Sequence, residues 1–498
     1  MNRLTRRTFL KNTAVVAAGA ALSARSWGQV SGANGDLRIG VAGINSRGKN
    51  LLTEASRIPG VRIVALCDVD TAVLDAVAKT YPDAKKFVDF RDMLAEPGLD
   101  VVAIATPNHQ HALQAIWAMQ AGKDVFLEKP VAHDIWEGQQ IVAASTKYNR
   151  LVQAGTQSRS SPAIAEAIAW VRAGNIGKVT VARALCYKRR TSLGKTTGPQ
   201  AVPATVNYDL WCGPAPLEPL RRTRLHYDWH WQWVTGNGDV ANQGNHQTDV
   251  ALRFLGETAL APHVFTVGGR FGYVDDGQTP NTLISMLAYP AAPLIIEVRG
   301  LGSKPDAYSN MAMGPGGSAG ADTSAATMDK FMGMSVGNII HCEGGYISVP
   351  AVDYSLAQAY DRDGKLVKEF KGVAGHMANF IDAVRSRKAS DLHAPVRQGC
   401  VSGGLCHTSN ISYLTGRGLH AGEIRERIQG NAPMLEVFGR LNEHLGANGI
   451  DLTKDTATFG LPLTVDPKTE RFTGSDAAPA NALLRREYRK PFVVPQLA

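Results

Sequence analysis

Between residues 37 and 156 the chain alternates short, mainly apolar runs with helix-like segments, and that pattern leaves few folds open. The apolar runs are 37–42, 61–67, 101–106, 125–127 and 151–154. Between them, 71–80, 111–121 and 135–148 read as helix. A strand with one wet face alternates apolar and polar residues. Continuous apolar runs predict a parallel sheet with both faces covered by helices. Ligands of such sheets bind at the carboxyl ends of the strands.

The turn after the first run carries the first chemical signal. It reads Gly43-Ile44-Asn45-Ser46-Arg47-Gly48, a G-x-G-x-x-G pattern with asparagine at the second glycine. Glycines there let backbone N–H groups approach a pyrophosphate at a helix N-terminus. Asparagine tolerates the left-handed backbone better than most residues, so the turn survives the exchange. Asp68 closes the second run, near where an acid is expected on the ribose hydroxyls. It favours NAD over NADP, because a carboxylate repels a 2′-phosphate; it also reads as a turn residue before Val69-Asp70.

Three stretches resemble one family, the glucose–fructose oxidoreductase, inositol dehydrogenase and rhizopine-catabolism group (Gfo/Idh/MocA). They are Gly43 to Gly48, Ala105-Thr106-Pro107-Asn108-His109-Gln110-His111, and Ala121 to Pro130, which ends in Glu128-Lys129-Pro130. The resemblance implies an α/β N-terminal Rossmann domain and an α+β C-terminal domain with a large, mostly antiparallel sheet. It implies that Gly43, Asn45, Ser46, Arg47, Gly48, Asp68, Thr106, Pro107, Asn108, His111, Glu128, Lys129 and Gln157 line the dinucleotide. It also implies a homo-oligomer, dimer or tetramer, built on one sheet face. Lys129 ends a strand where the nicotinamide sits, and an ammonium there orients the reacting oxygen. The Lys129–Pro130 peptide is often cis in the family.

After residue 157 strand-like runs recur with few helices, at 179–187, 263–267, 283–287, 294–299, 338–342 and 345–349. This is the α+β expectation. The boundaries read as 36–156 for the nucleotide domain, 157–449 for the substrate and oligomerisation domain, and 450–498 for a tail over the surface. The second half of the site lies in 236–255. If that segment is helical from about Val240, Asn242, His246 and Asp249 share one face, with Asp239 extending the stripe. A histidine among carboxylates suits a general base and its orienter. In members resembling inositol dehydrogenase, an Asp precedes the catalytic His by four residues. Here that position is Asn242, so the Asp–His relay is missing or uses another carboxylate such as Asp239.

Upstream, Trp229, Trp231 and Trp233 alternate, so as a strand they face one way, either toward a sugar ring or into a core. Candidate substrate contacts are Arg159, Tyr187, Trp229, His230 and Trp231. The insert 188–205 reads as a lid near the site, and 302–337 is a second long insert. The expected activity is NAD-dependent oxidation of a sugar or sugar derivative, with His246 taking the hydroxyl proton and Lys129 orienting its oxygen. The alternative is an NAD-dependent, redox-neutral glycoside hydrolase or lyase.

The N-terminal segment has the parts of an export signal. Arg6-Arg7-Thr8-Phe9-Leu10-Lys11 is a twin-arginine motif, 14–22 is a short apolar stretch, and cleavage is expected near Gly28. The expectation is a signal peptide over 1–29, the twin-arginine machinery as partner, and a periplasmic or otherwise exported protein. The chain is +9, residues 1–29 contribute +5, and the remaining +4 is no nucleic-acid footprint. No apolar run is long enough to anchor in a membrane. The 6 cysteines show no metal spacing; a Cys400–Cys406 disulfide is compatible with the sequence but not needed.

Overall fold

The computed structural model describes residues 35–304, 327–352 and 354–498. The expected leader and most of the 302–337 insert lie outside the described residues.

The N-terminal alternation folds as a parallel sheet. Its strands are β1 (Leu37–Ala42), β2 (Val61–Cys67), β3 (Lys85–Phe87), β4 (Val101–Ile104), β5 (Asp124–Leu127) and β6 (Val152–Ala154), in the order β3-β2-β1-β4-β5-β6. All pairs are parallel. The order reverses between β1 and β4, which opens a crevice above their carboxyl ends. β4 and β5 are buried at every residue, which is why they read as unbroken apolar runs. β3 escapes the sequence pattern because Lys85 and Lys86 stand exposed at the sheet edge.

The C-terminal domain is a large mixed, mostly antiparallel sheet. Its main path runs β14-β13-β12-β11-β7-β10-β9-β8-β16-β15. These are β7 (Val179–Tyr187), β8 (His263–Gly269), β9 (Thr282–Ala288), β10 (Leu294–Arg299), β11 (Val336–Cys342), β12 (Gly345–Pro350), β13 (Leu356–Asp361), β14 (Leu366–Lys371), β15 (Arg417–Leu419) and β16 (Ala457–Phe459). Only β7 and β10 pair in parallel within it. The helix Gly244–Leu255 packs on β7, β10 and β11, and its Val250, Ala251, Leu252 and Phe254 enter the core on that face.

The tail does more than cover the surface. Phe459 pairs with Val267 of β8, and Leu463 with Val264. Farther on, Arg486 is buried against Glu137, and Phe492 and Val494 join the apolar layer of the nucleotide domain. All six cysteines are free, so the Cys400–Cys406 bridge is not formed.

Candidate active site

A cleft of ≈ 340 Å³ opens at the carboxyl ends of β1, β4 and β5 and runs to the edge of the second domain. The glycine turn forms its floor. Gly43 has φ +76°, and a Cβ there would sit 2.6 Å from the Ala105 carbonyl carbon and the Thr106 nitrogen. A Cβ on Gly48 would meet the Gly43 oxygen at 2.1 Å. The turn is thus pressed against the next strand and its own helix, Arg47–Ser56, as a close approach to a pyrophosphate requires. Asn45 fills the second position without a left-handed backbone. Among the described residues, positive φ outside glycine occurs only at Asn149, Met332, Tyr354, Arg387 and Glu470.

Asp68 lies in the cleft wall, buried. Its Oδ2 accepts from the Ile44 amide at 2.9 Å and its Oδ1 from the Asp70 amide at 3.0 Å. Burial raises its pKa, and those amides act against the rise. The acid therefore braces the turn, as its reading as a turn residue expected. Thr106, Pro107, Asn108 and His111 line the same cleft. His111 is bracketed by the carbonyls of Pro130 and Thr106, at 2.7 and 2.8 Å, and so fixes the turn that carries Lys129. The Lys129–Pro130 bond is cis.

Glu128 is buried and already engaged. Its Oε1 accepts from Arg47 Nε at 2.6 Å and from Gln157 Nε2 at 3.1 Å. Arg47 holds the carboxylate below its usual pKa against the cost of burial. Arg47 keeps one buried nitrogen, Nη2, without a partner among the described residues. An orphaned guanidinium nitrogen beside a glycine cradle fits an anionic dinucleotide, so the residues present suit the cofactor that the fold implies.

At the inner end of the cleft stand Lys129, Asn242 and His246. Lys129 Nζ donates to the Asn242 carbonyl at 2.7 Å and to its Oδ1 at 3.1 Å. Burial is the largest influence on Lys129, and its ammonium is pushed down to about 8. Burial, then the charges of Lys129 and Arg47, drive His246 well below its usual range, so the imidazole is neutral.

The one-face stripe expected over 239–249 does not form. The chain makes two helices, Gly238–Asn242 and Gly244–Leu255, with a break at Gln243. Asp239 lies outside the cleft lining, held by Arg190 through both oxygens at 2.7 and 2.6 Å. Asp249 is fully buried in a pair with Arg159. Neither carboxylate reaches His246.

The tryptophan strand is also corrected. Asp228–Trp231 is a 3-10 turn. Trp231 packs inward under Arg190, while Trp229 and His230 stack at 3.6 Å and line the cleft. His230 Nδ1 bonds the Tyr227 carbonyl at 2.6 Å, which makes Nδ1 the donor and leaves Nε2 unprotonated. Arg159 and Tyr187 do not line the cleft. Tyr187 is buried in a network with Glu297 and Arg440, and Arg159 serves Asp249.

Residues with no local signal in the sequence complete the wall. The segment 206–230 contributes Leu210, Trp211, His226 and Tyr227, and the tail contributes Phe492. Trp117 and Phe90 come from the nucleotide domain. His226 Nε2 bonds Asp70 Oδ2 at 2.9 Å, across 156 residues. Nothing local marks such a pair. Asn237 had a local signal, since it sits between two glycines. It joins Asn108 to the His133 carbonyl, at 2.5 and 3.0 Å.

Comparison with known proteins agrees with this architecture. Residues 37–156 match the model of an oxidoreductase family with an NAD-binding Rossmann fold, and residues 167–276 the model of its C-terminal alpha/beta domain. A glycosyl hydrolase family 109 protein of Shewanella sp. (strain ANA-3) is 36% identical over 163 residues, 28% of this chain and 36% of that protein. Inositol 2-dehydrogenase of Salmonella typhimurium is 30% identical over 177 residues, 35% of this chain and 52% of that enzyme. The chain thus spans about a third to a half of the length of these curated relatives. Among solved structures, the WlbA dehydrogenase of Bordetella pertussis, in complex with NADH and UDP-GlcNAcA, superposes with a TM-score of 0.52. It is 19% identical and covers 74% of this chain and 94% of its own. An oxidoreductase domain protein of Kribbella flavida gives a TM-score of 0.54 at 18% identity, over 75% of this chain and 96% of its own.

Proposed function

We propose that this chain, whose residues 37–156 and 167–276 match the two domain models of the Gfo/Idh/MocA oxidoreductases, is a member of that family and oxidises a hydroxyl of a sugar or sugar derivative with a bound, recycled NAD. The observation that carries this reading is the meeting of Lys129 and His246 at one end of a cleft floored by the Gly43–Gly48 turn. When bound, the dinucleotide supplies a hydride acceptor. Lys129 and His246 flank the position of the reacting oxygen, and Trp229 with His230 offers a flat wall to a sugar ring. Asp68 at the end of β2 supports NAD over NADP.

The twin-arginine leader supports export to the periplasm, with the cofactor loaded before transport. A cofactor outside the cytoplasm stays bound and is regenerated on the enzyme. The broad sheet of the C-terminal domain supports a homo-oligomer, dimer or tetramer.

A second reading is redox-neutral cleavage of a glycoside. There a hydroxyl is oxidised, the neighbouring C–H loses its proton, the glycosidic group leaves, and the hydride is returned. His230 is the observation in its favour: Nδ1 donates to the Tyr227 carbonyl, so the ring that lines the cleft carries an unprotonated Nε2, a hydrogen-bond acceptor for a sugar hydroxyl. The likeness to a glycosyl hydrolase family 109 protein points the same way.

One experiment tests both. The protein is purified without added nucleotide, its absorbance spectrum is recorded, and free sugars and aryl glycosides are then offered. Net reduction of NAD by a free sugar supports oxidation. Aryl glycoside cleavage with bound nucleotide and no net reduction supports the second reading. Failure to bind a nicotinamide dinucleotide overturns both.

A further inference from the structure

The helix that carries His246 serves a second cleft at its other end. Gly244–Leu255 gives His246 to the first cleft and Leu252 and Arg253 to another, of ≈ 680 Å³, and the two share no lining residue. Three arginines line the second cleft, Arg159, Arg172 and Arg253. They reach it from three elements. Arg159 lies in the 3-10 turn Gln157–Ser160, Arg172 ends the helix Pro162–Arg172, and Arg253 stands in the last turn of Gly244–Leu255.

Hydrogen bonds to the backbone set them side by side. Arg172 Nη2 donates to the Arg253 carbonyl at 3.0 Å, and Arg253 Nη1 to the Ser158 carbonyl at 3.1 Å. Ser158 precedes Arg159, whose guanidinium bonds Asp249 and Gln398 Oε1. A basic side chain at a helix C-terminus is favourable on its own account. That explains one arginine per helix. It does not explain why both helix ends and a third guanidinium meet at one cleft.

The charges there do not balance. Asp249 is committed to Arg159. Among the described residues neither Arg172 nor Arg253 forms an ion pair, and Glu257 is the one acid in the cleft lining. Three guanidiniums thus face two carboxylates. Burial lowers Arg253 to about 10, with Arg159 and Arg172 adding to the fall and Asp249 opposing it. A guanidinium has five N–H donors and no acceptor. Arg172 and Arg253 each turn one N–H to a carbonyl, which leaves donors for an anion. Gln398 gives its oxygen to Arg159, so its amide nitrogen is a further donor.

The cleft also has room and an apolar side. Ile168, Leu252 and Val401 are buried in its lining, and its volume falls in the range of about 300–1,000 Å³ typical of small-molecule sites. A carboxylate brings two oxygens and one charge. A phosphate monoester brings three oxygens and a charge of about −1.5 to −2, which suits guanidiniums on more than one side. We propose that this cleft is a second ligand site, for a small molecule carrying a phosphate group, with Arg172 and Arg253 holding the phosphate through their paired N–H groups. The proposal does not depend on the oxidation proposed for the first cleft.

The test titrates the purified full chain by calorimetry at constant ionic strength. Inorganic phosphate is expected to bind with a Kd of about 1 mM or tighter. Glycerol phosphate binds at least as well, because the cavity has room for the ester, and acetate binds more weakly. Arg253→Gln is expected to weaken phosphate binding at least about tenfold. Arg172→Gln alters an exposed side chain and gives the same result should the first variant fail to fold. Phosphate that enters the first cleft instead, beside the glycine turn, loses affinity in Arg47→Gln and keeps it in the Arg172 and Arg253 variants. That pattern overturns the proposal, as does the absence of phosphate binding or acetate binding as tightly as phosphate. Neither NAD nor a sugar enters the titration, so its failure leaves the proposed activity untouched.

Discussion

Arg190 grips Asp239 through both carboxylate oxygens, at 2.7 and 2.6 Å, and both side chains are buried. The carboxylate that the missing relay would have used is thus committed to structure. Arg190 also bonds the Tyr227 hydroxyl at 2.8 Å and lies over the Trp231 ring, so it ties the insert to the helix before His246. Arg190→Ala leaves a buried, unpaired Asp239. We expect a loss of about 3–5 kcal/mol, read by urea unfolding. The double variant with Asp239→Asn recovers part of it, because the orphaned charge is gone.

The glycine turn gives a second prediction. In Gly43→Ala the new Cβ collides with backbone atoms at 2.6 Å, in a left-handed conformation. Backbone cannot swing aside as a side-chain tip can. Even about 1.4 kcal/mol lost from binding is tenfold in affinity, and a larger loss is expected here. Titration calorimetry with NAD measures it.

Acid should unfold the protein early. His109 and His230 are held down to about 3, and His376, His407 and His341 to about 4, in every case chiefly by burial. Unfolded histidines titrate near about 6.5. Between those values the unfolded chain binds more protons than the folded one, so stability falls as pH drops from about 6.5 toward 4. Each extra proton contributes about 1.4 kcal/mol per pH unit. Asp134, raised to about 8 by burial and Glu137, works in the opposite direction over this range. Urea midpoints between pH 4.5 and 7 give the net slope, and a flat profile would count against neutral buried histidines.

The tail supplies a fourth prediction. Arg486 bonds Glu137 Oε1 at 2.9 and 2.7 Å and the His109 carbonyl at 2.5 Å. Glu137 is fully buried. Arg486→Ala is expected to cost about 3–5 kcal/mol, because it leaves the buried Glu137 unpaired, whereas the ion pair of Arg489 with the exposed Asp209 is worth about 1 kcal/mol or less. Thermal unfolding of the two variants separates them.

The parallel sheet was legible because buried strands cannot hide their composition, and Lys129 because a strand end fixes where its side chain stands. The stripe over 239–249 failed for a definite reason. Helical spacing assumes one continuous helix, and the break at Gln243 sets Asp239 on a separate helix, paired with an arginine 49 residues away. Asp249 stays on the helix of His246 but pairs with an arginine 90 residues away. Period-two tryptophans suggested a strand, but the backbone there is a 3-10 turn. The outer strands β13 and β14 were missed because Leu366 and Val367 are exposed and polar residues interrupt them. Contacts across long separations, such as His226 with Asp70, leave no local trace.

Phe492 carries one more consequence. It stands in the wall of a cleft whose floor is laid by Gly43, so one cleft is lined by residues more than 440 positions apart in sequence. On a ribosome the parallel sheet emerges, and can fold, long before that wall exists. Completion of the cleft then marks the end of assembly, and a chain whose cleft is whole has, by that fact, completed its fold.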